Sequence, residues 1–123
     1  MKIMLVDDSK TMRHIQKSVL IQLGYSDVVE ACDGQEAMDL LETTTPDLLL
    51  VDWGMPNMDG LSLVKAFRQS DTLTPVIMVA SEPNKSHVAE AIKAGADNYV
   101  VKPFTPDLLS QRIQETLAQT QAA

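Results

Sequence analysis

Cysteine occurs once in these 123 residues, at Cys32, so no intramolecular disulfide can form and no cysteine-built zinc cluster is available. That usage suits a reducing compartment, and a cytoplasmic location is expected. Positive charge is scarce as well: 10 Lys and Arg stand against 17 Asp and Glu, a net charge of −7. Such a balance disfavours nucleic acid or an anionic membrane as the main partner and suits cations and basic protein surfaces. Long apolar runs are missing. The opening stretch KIMLV is cut off by Asp7 and Asp8, too soon for a signal peptide or a membrane span. No internal repeat, low-complexity segment or linker to a second domain interrupts the chain. Residues 1–123 are therefore expected to form one domain, a monomer whose output is carried by its own surface.

What is present is ordinary for a globular core, with 45% hydrophobic and 22% charged residues. Five short apolar runs recur: KIMLV, DVVEA, LLLVD, PVIMV and NYVVK. All but the second are nearly unbroken, as in strands covered on both faces. Amphipathic segments separate them. The first, about 10–23, places Met12, Ile15, Val19 and Leu23 on one stripe, with Gly24 as a stop. The second, about 34–43, opens with Asp33 and Glu36 in a capping-box arrangement. The third spans about 60–69, and the fourth about 84–94 with Gly95 after it. The fifth spans about 106–119, with Thr105 to cap it and Pro106 in its first turn. The tail QTQAA is expected to fray. Strand and helix alternating five times predicts an α/β fold, a doubly wound five-stranded parallel sheet in the order 2-1-3-4-5 with helices on both faces.

Ligands in such sheets bind beyond the carboxyl ends of the strands. The first run ends in Asp7 and Asp8, the third in Asp52, the fourth in Ala80, Ser81 and Glu82, the fifth in Lys102 and Pro103. In that strand order the three acids share one crevice, with Lys102 across from them. Two unit charges about 4 Å apart at an effective dielectric near 20 repel by about 4 kcal/mol, so a cation must offset the cluster or one acid must take up a proton. Lys102 supplies one charge, and a hard divalent ion such as Mg²⁺ would supply more. The pocket has the chemistry of a phosphoryl-transfer site, with Asp52 as nucleophile. Asp8 or Ser9 could instead cap the first helix.

The stretches LVDDS, LLLVDW, MPNMDG, PVIMV and AGADNYVVKPFT carry a resemblance that spans essentially the whole chain. It resembles the response-regulator receiver domain, with its flavodoxin-like fold, and most of all the single-domain chemotaxis (CheY-like) type. Because that family is itself an established example of the 2-1-3-4-5 order, the expected order is partly inherited from the resemblance. The resemblance implies a signalling switch rather than a turnover enzyme. Asp52 would take a phosphoryl group from a histidine kinase and Mg²⁺ would be the cofactor. Asp8, Asp52 and the backbone carbonyl of Gly54 would be metal ligands, with Asp7 acting through water. Lys102 would contact the phosphoryl group, a cis bond before Pro103 would place that lysine, and Tyr99 would be the aromatic switch. The surface of the fourth helix, fifth strand and fifth helix would bind a target, such as the flagellar motor switch.

Two positions depart from that pattern. Ala80 stands where the family has Thr or Ser, and its nearest hydroxyl, Ser81, faces the other way if the strand alternation holds. Gly54 replaces a side chain that shields the phosphoryl group. Other readings are a phosphate sink or phosphorelay shuttle, and a degenerate adaptor that is never phosphorylated. A phosphohydrolase of the haloacid dehalogenase type would need a second acid at Gly54. A flavodoxin would need a phosphate-cradling loop in place of Asp7 and Asp8. Trp53 is expected at the rim of the pocket, and His14 and His87 on helix surfaces without a metal or relay role. Met55 and Met58 are expected in the loop beside the site rather than in the core. Cys32 has no catalytic partner in view.

Overall fold

Strands and helices alternate along residues 1–55, 57–81, 85–102 and 104–121, the residues that the computed structural model describes. The elements are β1 (Lys2–Val6), α1 (Lys10–Gln22), β2 (Asp27–Ala31), α2 (Gly34–Leu41), β3 (Leu48–Asp52), α3 (Gly60–Arg68), β4 (Val76–Ala80), α4 (Lys85–Ala94), β5 (Asn98–Val101) and α5 (Pro106–Gln121). All strand pairs are parallel and the order is β2-β1-β3-β4-β5, as expected.

Period-two alternation along the strands divides the core into two layers. Met4, Val6, Leu49, Val51 and Met78 pack on Ala37 of α2, on Leu63, Val64 and Phe67 of α3, and on Ala91 of α4. Ile3, Leu5, Leu48, Leu50 and Ile77 pack on Leu20 of α1 and on Leu109 and Ile113 of α5. β3 and β4 are buried along their whole length, which is why their sequences are apolar at nearly every position. Each fully buried Leu or Ile contributes about 1.5–3 kcal/mol.

Polar caps start the helices. Ser9, Asp33 and Asp59 accept from the backbone N–H of Met12, Glu36 and Ser62, and Thr105 Oγ1 accepts from that of Leu108. Glu36 reaches back to the N–H of Cys32, one residue before the cap, so the capping box is closed a little early. Gly24 and Gly95 follow α1 and α4 with φ of 97° and 117°, a region that favours glycine. Asn84, expected to open the fourth helix, lies outside the described residues. α5 runs on through Gln121, two residues past its expected end, and Ala122 and Ala123 of the tail also lie outside.

The stripe expected on α1 is corrected by the structure. The helix buries Gln16 and Leu20, Met12 and Val19 are half-buried, and Ile15 is 48% exposed. The helix is rotated because Gln16 has a partner inside, described below.

At the amino end of the sheet, Arg68 fastens three segments. Its Nε donates to Gly95 O at 2.9 Å, Nη1 to Asp71 O at 3.2 Å, and Nη2 pairs with Asp97 Oδ2 at 3.0 Å. The same Asp97 oxygen accepts from Val76 N at 2.9 Å, tying the start of β4 into the network. Hydrogen bonds to charged groups contribute about 1.5–3 kcal/mol. Arg68→Ala is expected to destabilise the fold by about 2–3 kcal/mol. Urea titration should show a lower midpoint at unchanged slope, and an unchanged midpoint would show the network to be inert.

Candidate functional site

The two acids after β1 have different surroundings. Asp7 N donates to Ala31 O at 3.1 Å, extending the β1–β2 ladder by one residue. Its side chain turns inward and the residue is 1% exposed. Asp7 Oδ1 accepts from Ser9 N at 2.9 Å and Oδ2 from Gln16 Nε2 at 3.0 Å, while its carbonyl accepts from Arg13 Nη1 at 2.7 Å. Asp8 is exposed. The α1 cap is Ser9, so Asp8 is not consumed by capping and remains available to a ligand.

Asp52 closes β3 and is 6% exposed. The next residue, Trp53, donates its N–H to Val79 O at 2.9 Å, so the ladder holds the chain up to and past the acid. Lys102 follows β5 and is fixed the same way, N to Ala80 O at 2.7 Å. Its Nζ lies 2.8 Å from Asp52 Oδ1 and 3.7 Å from Asp7 Oδ2. One carboxylate oxygen each from Asp7, Asp8 and Asp52 lie within 4.8 Å of one another.

Three carboxylates and one ammonium leave a formal −2, and the proton affinities follow. Burial raises the pKa of Asp52, the Lys102 hydrogen bond pulls against it, and the charges of Asp7 and Asp8 add to the rise; the net direction is up. Burial alone would lower the pKa of Lys102, but the hydrogen bond and charge of Asp52, with the charge of Asp7, outweigh it, so that group also moves up. Burial leads the shift of Asp52, while the surrounding negative charge adds to it and drives the shift of Lys102. An all-oxygen donor set short of two positive charges fits a small hard dication such as Mg²⁺, with Asp8 reachable from solvent.

In the loop after β3, Gly54 is exposed, and among the described residues, its chain neighbours aside, a Cβ built on it meets no heavy atom within 4 Å. Asn57 takes a left-handed φ of 67°, which asparagine tolerates, and its Nδ2 donates to Asp33 Oδ2 at 3.4 Å. Met55 is 9% exposed and belongs to the core, with Met58 packed against it, so the expectation that both lie outside the core is corrected. Apolar side chains in this loop have a layer of α-helices directly beneath them to fill.

Ala80 is 4% exposed and Tyr99 9% exposed, in the same core cluster, whereas Ser81 is exposed. Glu82 and Pro103, with the bond before it, lie outside the described residues. His14 is exposed on α1. Cys32 Sγ donates to Glu36 Oε2 at 3.3 Å, and that carboxylate holds the thiol above its ordinary pKa, which makes it a poor nucleophile.

One neighbour of the site, Gln16, and one contact, that of Trp53 with His87, are not foreseen from the sequence. Gln16 was hidden because a polar residue inside an apolar stripe reads as surface; its place at the end of the second turn of α1, nine residues after Asp7, is the only hint. Trp53 is half-buried, and its ring stacks on His87 of α4, centroids 4.6 Å apart and planes 21° from parallel. No local pattern links residues so far apart in the chain.

Comparison with known proteins agrees with this geometry. The family model described as the response regulator receiver domain matches residues 3–114. A chemotaxis protein CheY homolog of Campylobacter jejuni is 49% identical over 121 residues, which are 95% of this chain and 92% of that protein. Chemotaxis protein CheY1 of Helicobacter pylori is 46% identical over 120 residues, 95% of this chain and 97% of that one. The solved structure of chemotaxis protein CheY4 of Vibrio cholerae matches with a TM-score of 0.87 at 33% identity, covering 94% of this chain and 97% of that chain. With its strand order, the acids at the carboxyl edge of its sheet and these relatives all in agreement, the chain belongs to the family of response regulator receiver domains.

Proposed function

We propose that the protein is a two-component response regulator that accepts a phosphoryl group on Asp52 from the phosphohistidine of a histidine kinase, in a Mg²⁺-dependent reaction. The observation that carries this reading is the cluster of Asp7, Asp8 and Asp52 with Lys102 ion-paired to the acid that would react. Asp8, Asp52 and the Gly54 carbonyl would hold the metal directly, and Asp7 through water. Bound there, Mg²⁺ supplies the positive charge that the acids and the phosphoryl oxygens need. The Asp52 carboxylate attacks phosphorus in line; the P–O bond forms as the P–N bond breaks, and the imidazole leaves with the electron pair. Lys102, already against Asp52, follows the charge onto the phosphoryl oxygens. At Gly54 no side chain shields the product, so the approach is open to water as well as to the donor.

In this reading residues 1–123 act as one cytoplasmic, monomeric receiver domain, a switch rather than a turnover enzyme. Its output surface is α4, β5 and α5, with Tyr99 as the switch residue. The chemotaxis names of its relatives point to a flagellar motor switch as target. The test is to incubate the protein with Mg²⁺ and acetyl phosphate, weigh it intact and map the modification. One hydroxylamine-labile phosphoryl group on Asp52, absent without the metal, is the expected result. A phosphoryl group on Ser81 or a histidine would overturn the mechanism.

Ala80 favours a second reading, a phosphate sink or shuttle with the same chemistry and weak output. A hydroxyl bonded to a phosphoryl oxygen contributes about 1.5–3 kcal/mol, so its absence weakens bias toward the active state by roughly ten- to a hundredfold. Ala80→Thr is expected to deepen the response of α4 and α5 to beryllofluoride, read by NMR shifts. Ser81→Ala is expected to be nearly silent, given the exposure of Ser81. If wild type already responds fully and Ala80→Thr adds nothing, the sink reading loses its support.

A further inference from the structure

We infer that Gln16 is a positioning residue for the metal-binding acids, an inference that rests on the function proposed above. It is 1% exposed, on a face of α1 otherwise filled by Leu20, and its Nε2 donates to Asp7 Oδ2 at 3.0 Å. A buried amide at an apolar position is unfavourable without a partner, and its donor is spent on an acid of the site. The bond settles how Asp7 is used. Oδ1 is occupied by the Ser9 N–H, Oδ2 by Gln16, and the backbone carbonyl by Arg13. With its side-chain oxygens engaged by α1, Asp7 is held back from direct coordination and acts on the cation through water, while exposed Asp8 supplies the direct bond. The same bond keeps Asp7 Oδ2 3.7 Å from Lys102 Nζ, so the ammonium makes its short contact, 2.8 Å, with Asp52 instead. Gln16 thereby assigns Lys102 to the residue that reacts. Without it, Asp7 is free to turn toward Lys102, which draws the lysine from Asp52 and removes the water-mediated hold on the metal.

The test compares wild type, Gln16→Met and Asp8→Ala. Met matches Gln in length and fills the same space without a donor. Mg²⁺ dissociation constants are read from Trp53 fluorescence, and the metal-free fold is checked by thermal unfolding. Loss of one outer hydrogen-bonding partner of a metal site typically weakens metal binding about 10–100-fold, and a loss at the lower end of that range is expected for Gln16→Met in a protein that still folds; a change below about threefold overturns the inference. If Asp8→Ala binds Mg²⁺ like wild type, the fault lies with the assigned metal site and not with Gln16. Should Gln16→Met not fold, the side-chain NH₂ resonances of Gln16 in wild type decide: they are expected to shift when Mg²⁺ is added, whereas an amide that only fills space stays unmoved, and that result also overturns the inference.

Discussion

Asp52→Asn is expected to take up no phosphoryl group under conditions that load wild type and, in the absence of divalent cations at neutral pH, to unfold at a higher temperature than wild type. The first half follows from losing the nucleophilic oxygen. The second follows from linkage. Burial and the charges of Asp7 and Asp8 raise the pKa of Asp52 in the folded state, against the opposing hydrogen bond from Lys102. A group raised on folding contributes stability that is present below its unfolded value and lost as pH rises through its folded value. At neutral pH the ionised Asp52 is therefore a burden that a neutral amide of the same shape lacks. The attraction of Lys102 is already contained in that net direction, and Lys102 keeps Asp7 as a neighbour. Each kcal/mol relieved would read as roughly 3–5 °C in a chain of this length. The advantage should shrink as pH falls and Asp52 takes up its proton, and shrink again when Mg²⁺ saturates wild type. Thermal scans in EDTA across pH 5–8, repeated with Mg²⁺, check both halves. A metal-free variant less stable than wild type at neutral pH would show that the acids are not in conflict.

Gly60→Ala is expected to damage fold and site together. Gly60 opens α3, and its N–H donates to Trp53 O at 2.8 Å, folding the loop back on the end of β3. A Cβ there would strike the Asp52 carbonyl oxygen and lie 2.9 Å from the Asp52 carbonyl carbon and 3.0 Å from Trp53 Cα. These are backbone atoms held in the β3–β4 ladder and cannot swing aside as a side chain would. Overpacking of this kind costs about 1–3 kcal/mol, and this contact belongs at the upper end. Relief can come only by moving α3 away or by shifting Asp52, so Mg²⁺ affinity should fall with stability. Gly54→Ala is the control: among the described residues nothing beyond its chain neighbours lies within 4 Å of its Cβ, and stability should hardly change. Equal stability of Gly60→Ala and wild type in urea would refute the close approach.

The fold was legible in the sequence because its information is local. Runs such as LLLVD announce a strand covered on both faces, and Asp33 and Thr105 announce helix starts. The acids at the strand ends were legible because topology brings strand ends together. Gln16 was not, since its burial depends on a carboxylate presented by another element, and Ile15 was wrongly given its place. Met55 looked like a loop residue because the helices beneath the loop cannot be seen from the loop's own sequence. The stacking of Trp53 on His87 and the reach of Arg68 to Gly95 and Asp97 depend on how α3 and α4 settle on the sheet, a long-range result that no periodicity records.

The Arg68 network has a wider consequence. Discord and fastening occupy opposite ends of one sheet: mutually repelling acids at the carboxyl end, a satisfied guanidinium at the amino end. Substitutions far apart with no shared partner combine nearly additively. Changes around Arg68 can therefore alter how long the fold endures without touching the acids, and their effect should add to that of any change around Asp52. A lineage could retune the fastening without dismantling the chemistry.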